Sequence, residues 1–586
     1  MGQSRKAAVH TEGVPMRDGV RLATDVYLPA HLPAPVLLVR TPYNRTRYLT
    51  DGFPGSETLR TALGDGFAVV VQDCRGTGDA DGDFEPLVNE ENDGVDTLDW
   101  LVEQRWCSGK VASFGDSYLG FAQFAMAVAA HPALVACIPV NTAGDSYAGW
   151  VYSPGGVLSA ENTDRYGHLV AWVNHLRAGR ELEAQRVMGL VRAPSAALRS
   201  IPGRAAHLAD DVPWFARWLA HPEPDDFWRR RSFAHRFSAV TAAGLHVGGW
   251  YDFFSDSTAA AFTALRRTAA TPAARDGQYL VLGPWTHTSA TGVHDGFDFG
   301  ADAGAGGAAL PAITRAFLRG QLEGAGGAAT MAGSGAAARD EAASPLPRVT
   351  YFAMGANEWR QAQDWPHPAT QPRTLFLDAA TCAPPGTGLS AAVPAGAGTS
   401  PLPVDPADPV PTLGGRLMSS GDTWLAAGPV DQRPNERRGD VLSFTTAAFE
   451  TATEVTGHLA LELWLTFDSP SADVAATVTD VFPDGRSMLL VEGITRVTAP
   501  PARDGFPGPT PSRVDIDLSV TSNVFRAGHR LRVNVAASNF PRYDLNRDVF
   551  DRGTSGFVLH TGREHPSRLV VPVIGDTCDV ARRPSA

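Results

Sequence analysis

The chain has 586 residues, 44% hydrophobic and 19% charged, with a formal net charge of −13 and a pI near 5.7. Such a length exceeds one hydrophobic core and predicts roughly two to four domains, while the acidic balance argues against nucleic acid as a partner. Five scattered cysteines without a C-x-x-C pair, namely Cys74, Cys107, Cys137, Cys382 and Cys578, argue against a disulfide framework or structural zinc and fit a reducing compartment.

No apolar segment follows the charged N-terminus, and no run reaches the ~18 apolar residues of a membrane span. A cytoplasmic protein with no membrane partner is expected. Lys6 and Lys110 are the only lysines, which reads as coding bias rather than an arginine-based binding site.

In chain order, the first third alternates strand and helix signals. Residues 35–40 and 66–73 are short apolar runs of the kind that form buried parallel strands. Residues 91–106 carry Val95, Leu98, Leu101 and Val102 at helical spacing. Residues 110–114 read as another buried strand and 121–130 as a helix. Between them lies Gly115-Asp-Ser-Tyr-Leu-Gly120, close to the G-x-S-x-G elbow pattern. A strand turning sharply into a helix strains its corner residue, and glycines two before and three after Ser117 remove the side chains that would clash there. Ser117 is therefore read as a nucleophile backed by a helix N-terminus.

Residues 144–237, rich in Trp, Arg, His and Ala, read as a helical insertion capping the C-terminal ends of the strands. Asp164 and Arg165 within it read first as outward-facing helix residues, with polar contacts beside Tyr166 as the alternative. Two more buried strands follow at 244–249 and 278–283. The Gly- and Ala-dominated stretch 320–344 reads as a linker or loop. Beyond it, Leu459, Leu461, Leu463, Leu465 and Phe467 alternate, as do Val514, Ile516, Leu518 and Val520, and Phe482-Pro-Asp-Gly-Arg486 is a hairpin signal. A β-sandwich or jelly roll is predicted.

A serine hydroxyl needs a base in hydrogen-bond reach and a carboxylate to orient that base. In a sheet of this kind the chain order is serine, acid, histidine, each at a strand end. His287, closing Gly283-Pro-Trp-Thr-His287, fits the base, with His294 further into the loop as its rival. Asp252, closing Gly249-Trp-Tyr-Asp252, fits the acid. It could instead cap the following helix, leaving the acid to Asp256 one turn on. An oxyanion hole needs two donors. One is the backbone N–H of Tyr118, and the other comes from the loop at Thr41-Pro-Tyr43-Asn44, where Tyr43 taken alone reads first as a packed loop residue.

Arg40-Thr-Pro-Tyr43, Asp73-Cys-Arg-Gly-Thr-Gly78, the elbow, Gly249-Trp-Tyr-Asp252, Gly283-Pro-Trp-Thr-His287, Asp405-Pro-Ala-Asp-Pro-Val410, Asp431-Gln-Arg-Pro434 and Ser538-Asn-Phe-Pro-Arg-Tyr543 occur in this order. The set resembles the cocaine esterase branch of the Xaa-Pro dipeptidyl-peptidase family, which includes α-amino acid ester hydrolases. The resemblance runs from about residue 10 to about residue 575. It implies an α/β-hydrolase core at 1–143 and 238–346, a helical cap insertion at 144–237 and a C-terminal β jelly-roll domain at 347–586. It implies Ser117, Asp252 and His287 as the triad, and Tyr43 with the Tyr118 N–H as the oxyanion hole.

The resemblance also places Val151, Tyr166, Phe254 and Met418 at the acyl pocket. Val151 and Tyr166 stand where that branch carries tryptophans, and Met418-Ser419 replaces a Leu-Phe pair. A pocket with fewer flat aromatic walls and more polarity is expected. The expected activity is hydrolysis of small acyl esters, with no cofactor and no metal. The alternatives are an Xaa-Pro dipeptidyl-peptidase or β-lactam acylase acting on amides and, more distantly, an inactive carbohydrate-binding protein. The partner is a small ester or amide, and a homodimer is left open.

Overall fold

The computed structural model describes residues 8–50, 55–192, 208, 210–323, 330–331, 344–381, 387–405, 407–418, 425–498, 510–546 and 555–575. Most of the Gly/Ala-rich stretch (324–329 and 332–343), Ser419, Cys382 and Cys578 lie outside these residues. Among the described residues no helix is long and apolar enough to cross a membrane.

The first part of the chain builds a ten-stranded sheet. Its strands are β1 (Ala8–Pro15), β2 (Arg21–Leu28), β3 (Ala34–Thr41), β4 (Ala68–Asp73), β5 (Cys107–Asp116), β6 (Leu134–Val140), β7 (Ala243–Tyr251), β8 (Gln278–Thr286), β9 (Val349–Ala353) and β10 (Glu358–Ala362). They lie in the order β1-β2-β4-β3-β5-β6-β7-β8-β9-β10. Pairing is parallel from β4 across to β9 and antiparallel at both edges. Every residue of β4, β7, β8 and β9 is buried, because helices and the rest of the chain cover both faces of these strands.

The last two strands come from beyond residue 347, where Val349 pairs in parallel with Leu280 of β8. A five-residue strand that is buried on both faces carries no alternation to show which sheet it joins.

Helices α1 (Ser56–Gly64), α2 (Glu90–Glu103) and α3 (Tyr118–Val128) flank the sheet. Between β6 and β7 the chain leaves the sheet for a turn of π-helix at Tyr147–Val151, α4 (Ala160–Arg177), α5 (Glu181–Arg192) and two short helices, Trp214–Leu219 and Asp226–Arg229. The start of α4 differs from expectation. Asp164 and Arg165 are 2% and 8% exposed rather than outward-facing. The Met418 N–H comes down on this end of the helix, donating to Glu161 Oε2 (3.1 Å) and Asn162 Oδ1 (3.2 Å). Arg165 is held there by Glu161 Oε1 at 2.7 Å. Local sequence cannot reveal a cover supplied from some 250 residues away.

The C-terminal part folds into antiparallel sheets of seven and four strands. Thr453–Phe467 pairs along its length with Ser512–Phe525. The predicted alternation turns Leu459, Leu461, Leu463 and Leu465 into one core with Val478 and Val533 of the facing sheet. The 482–486 turn joins Ser471–Val481 to Ser487–Thr498, with the Gly485 N–H donating to the Phe482 carbonyl (2.9 Å).

Candidate active site

β5 ends at Asp116 and α3 starts at Tyr118, so Ser117 alone makes the corner, at φ 56° and ψ −122°. A residue with a side chain persists there only when its surroundings dictate it. The Ser117 N–H donates to the Val140 carbonyl (2.9 Å), and its own carbonyl accepts from Thr142 Oγ1 (2.7 Å). The glycines are required by contact. A Cβ on Gly115 would fall 2.5 Å from Leu119 Cβ, and one on Gly120 would fall 2.5 Å from Thr142 Cγ2.

The Tyr118 N–H lies in the first turn of α3, where no intrahelical acceptor exists, so it is free for a ligand. The Tyr118 side chain points elsewhere. Its hydroxyl donates to Glu90 Oε1 (2.8 Å) and accepts from the Leu87 N–H (3.0 Å). Glu90 in turn pairs with the buried Arg40 at 3.1 Å. Burial, followed by the Glu90 charge, holds this phenol protonated far above its ordinary range.

β7 and β8 are neighbours, and Asp252 and His287 are the first residues past their ends. They meet, with His287 Nδ1 2.7 Å from Asp252 Oδ2. A carboxylate there requires the proton on Nδ1, which leaves Nε2 as the acceptor. Asp252 is fully buried, and its other oxygen accepts from the Phe254 N–H (2.5 Å). Of the two roles weighed for it, it takes that of the histidine's partner; the cap position of the helix Ser255–Thr268 falls to Phe254.

Asp256 turns away into the C-terminal part, pairing with Arg416 (2.9 Å) and accepting from the Val520 N–H (2.8 Å). His294 is occupied elsewhere, with Nε2 2.8 Å from the Pro284 carbonyl oxygen. Burial works to lower the His287 pKa, but the charge and hydrogen bond of Asp252, aided by Asp116, outweigh it and raise the group above its ordinary value.

Tyr43 follows β3. Its N–H donates to Thr41 Oγ1 (3.0 Å), and the next residue, Asn44, has φ 77°, which turns the loop over the elbow. Arg45 clamps this loop from behind, with its N–H at 2.7 Å and its guanidinium at 2.6 Å from the Asp73 carboxylate. The Asp73-Cys-Arg-Gly-Thr-Gly78 stretch thereby acquires a purpose, because a Cβ on Gly78 would collide with that carboxylate at 2.2 Å. Burial, then the Asp116 charge, raises the Tyr43 phenol, while its hydrogen-bonding contact with Ser117 acts the other way. The phenol is thus a neutral donor beside the nucleophile.

Val151, Tyr166, Phe254 and Met418 come together in one apolar cluster. The sequence reading passed over two members of that wall. Trp150 lies edge-on to Tyr166 (5.0 Å between centroids), Phe254 (5.7 Å) and Trp218 (5.9 Å). Phe253 lies against the His287 ring at 4.6 Å. Their neighbours in the chain, Val151 and Phe254, were the only sequence signal for Trp150 and Phe253. Among the described residues no group of three or more His, Cys, Asp and Glu is placed to hold a metal ion.

A serine at a strand–turn–helix corner, with an Asp–His pair at the next strand ends of a largely parallel sheet, defines the α/β-hydrolase class. Residues 18–289 match the family of X-Pro dipeptidyl-peptidase (S15 family), and 341–570 match the X-Pro dipeptidyl-peptidase C-terminal non-catalytic domain. Cocaine esterase from Rhodococcus sp. (strain MB1 Bresler) is 35% identical over 590 residues, spanning 96% of this chain and 97% of that protein. The chain belongs to this family and is a cocaine esterase-like serine hydrolase.

Two solved structures share its fold over nearly their whole length. An aminopeptidase from the marine sediment archaeon Thaumarchaeota archaeon has a TM-score of 0.76 at 23% identity, with 97% of each chain covered. An α-amino acid ester hydrolase has a TM-score of 0.75 at 22% identity, covering 98% of this chain and 97% of that one.

Proposed function

We propose that this protein is an esterase that hydrolyses small acyl esters through an acyl-enzyme. Ser117 attacks the carbonyl carbon, and His287 Nε2 takes its proton and returns it to the leaving alcohol. Asp252 holds the imidazole in the tautomer with its proton on Nδ1 and stabilises the imidazolium. The Tyr43 hydroxyl and the Tyr118 N–H receive the oxyanion. Water, activated by the same histidine, then releases the acid.

The observation that carries this reading is the Asp252–His287 contact of 2.7 Å at the strand ends beside the strained Ser117 corner. The similarity to cocaine esterase supports ester rather than amide chemistry.

The test is labelling with a fluorophosphonate, followed by turnover of p-nitrophenyl esters and Xaa-Pro chromogenic amides. Label should map to Ser117, and Ser117→Ala should lose both label and about 10⁴-fold or more in turnover with its fold intact. An alanine variant that still shows an acyl-enzyme burst, or a wild-type protein that turns over amides in preference to esters, overturns the proposal.

A further inference from the structure

Two separate segments must bring a donor to one oxyanion. Tyr43 follows β3 in the sheet, and the Tyr118 N–H opens α3 in the layer beside it. One buried network joins the two. Arg40 stands on β3, three residues before Tyr43, with its side chain wholly buried. Its Nη1 donates to the Glu90 backbone carbonyl (2.9 Å) and lies 3.1 Å from Glu90 Oε2. Its Nε donates to Gln72 Oε1 (2.9 Å) on β4, the strand next to β3. The other oxygen of Glu90, Oε1, accepts from the Tyr118 hydroxyl at 2.8 Å. Each of these bonds has a charged partner and is shielded from water, which makes the link from β3 to α3 short and strong.

A strained residue marks the same network. Leu87 has φ 70° and is 1% exposed, a conformation that a bulky side chain keeps only where its surroundings enforce it. Its N–H donates to the Tyr118 hydroxyl (3.0 Å), so the strained turn before α2 is held on the phenol. Phe84 of the same loop and Trp150 of the cap lie edge-on to the Tyr118 ring, at 5.6 and 6.2 Å between centroids. The hydroxyl is thereby committed to Glu90 and Leu87 and is no oxyanion donor itself. What it can fix is the first turn of α3, and with it the direction of its own residue's N–H.

We propose that the Tyr118 side chain is a positioning residue: through Glu90 and Arg40, its hydroxyl sets the spacing between the Tyr118 N–H and the Tyr43 hydroxyl. The inference rests on the oxyanion assignment in the esterase reading above. Such donors act by being placed in advance where charge develops, and a displacement of about 1 Å caused far from the chemistry costs on the order of 10²-fold.

Tyr118→Phe keeps the ring and the backbone N–H and removes only the link. On p-nitrophenyl acetate, with active sites counted by fluorophosphonate titration, kcat should fall about ten- to hundredfold and KM stay within about twofold. A hydroxyl that merely steadied the fold would cost melting temperature and active-site count, with turnover per site unchanged. The deciding measurement is the double-mutant cycle with Tyr43→Phe. Once the Tyr43 donor is gone there is no spacing left to set, so adding Tyr118→Phe should then cost less than about threefold. Losses that multiply, or a kcat within twofold of wild type in Tyr118→Phe alone, overturn the inference. If Tyr118→Phe does not fold, Arg40→Lys takes its place in the cycle, because it keeps the charge beside Glu90 and loses the fixed geometry of the guanidinium. An undiminished kcat in Tyr43→Phe would sink the oxyanion assignment and the inference with it, whereas a large loss there without coupling to Tyr118→Phe sinks only the role of the network.

Discussion

The two walls of the site are built on opposite terms. Along the strand ends, the charged groups behind the chemistry are tied in pairs: Asp252 to His287, Glu90 to Arg40 and Tyr118, and Asp73 to Arg45. On the cap helix, Tyr166 and Asn162 keep donors that no described residue satisfies. Groups that stabilise a transition state must not reorganise during the reaction, so their partners are supplied by the fold. The cap helix is held instead by ring packing, with Trp150 edge-on to Tyr166 and Trp218 parallel to it.

The largest effect expected on the paired wall comes from Asp252→Asn. It keeps the shape of the side chain and the hydrogen bond from Phe254 but favours the wrong imidazole tautomer, and kcat should fall roughly 10³- to 10⁴-fold. Asp256→Asn is the contrasting change one turn on. Because Asp256 ties the helix Ser255–Thr268 to Arg416 rather than to His287, its loss should lower the melting temperature and leave kcat within a few-fold. A reversal of the two kinetic effects would show that the acid had been placed wrongly.

Tyr43→Phe removes a single hydroxyl from that wall. The expected loss is about 3 kcal/mol, or 10² to 10³ in kcat with KM little changed. An undiminished kcat in a variant whose chemical step is rate-limiting would exclude the phenol from the oxyanion hole.

The same wall makes a prediction for pH. His287 acts as a base only when neutral, and Asp252 raises its pKa. Activity should therefore be lost as pH falls through a value above the ordinary histidine pKa of about 6.5. In Asp252→Asn the raising charge is gone while burial remains, so the acid limb of the residual kcat/KM should move to lower pH. A limb that stays in place would mean that another group sets it.

The smallest effect falls on the cap wall. Trp150 lies edge-on to Trp218 and Phe254, and Val151 is wholly buried in the same apolar cluster. Acetyl to butyryl esters should be preferred to benzoyl esters on a common leaving group, and Val151→Trp should shift that ratio toward benzoyl by an amount corresponding to roughly 0.5–1.5 kcal/mol of ring stacking. A wild type that prefers benzoyl would place the acyl group against residues other than these.

Much of this molecule was already determined by its sequence, wherever the determinants are local. The elbow is legible because the strain at Ser117 is relieved within three residues on either side, by Gly115 and Gly120. Strand ends are legible because fully buried parallel strands are continuous apolar runs, and this placed Asp252 and His287 before any geometry was known. Long alternating strands such as Thr453–Phe467 declare their inward face in the same way.

The tertiary structure decided what depends on distant partners. It gave Asp256 to Arg416, buried Asp164 and Arg165, and joined Val349–Ala353 to the α/β sheet rather than to the C-terminal one. It also set Trp150 beside Phe254, more than 100 residues apart, and left the Tyr166 hydroxyl without an acceptor among the described residues. Burial and hydrogen-bond satisfaction are properties of what surrounds a residue, and for these residues the surroundings arrive from elsewhere in the chain.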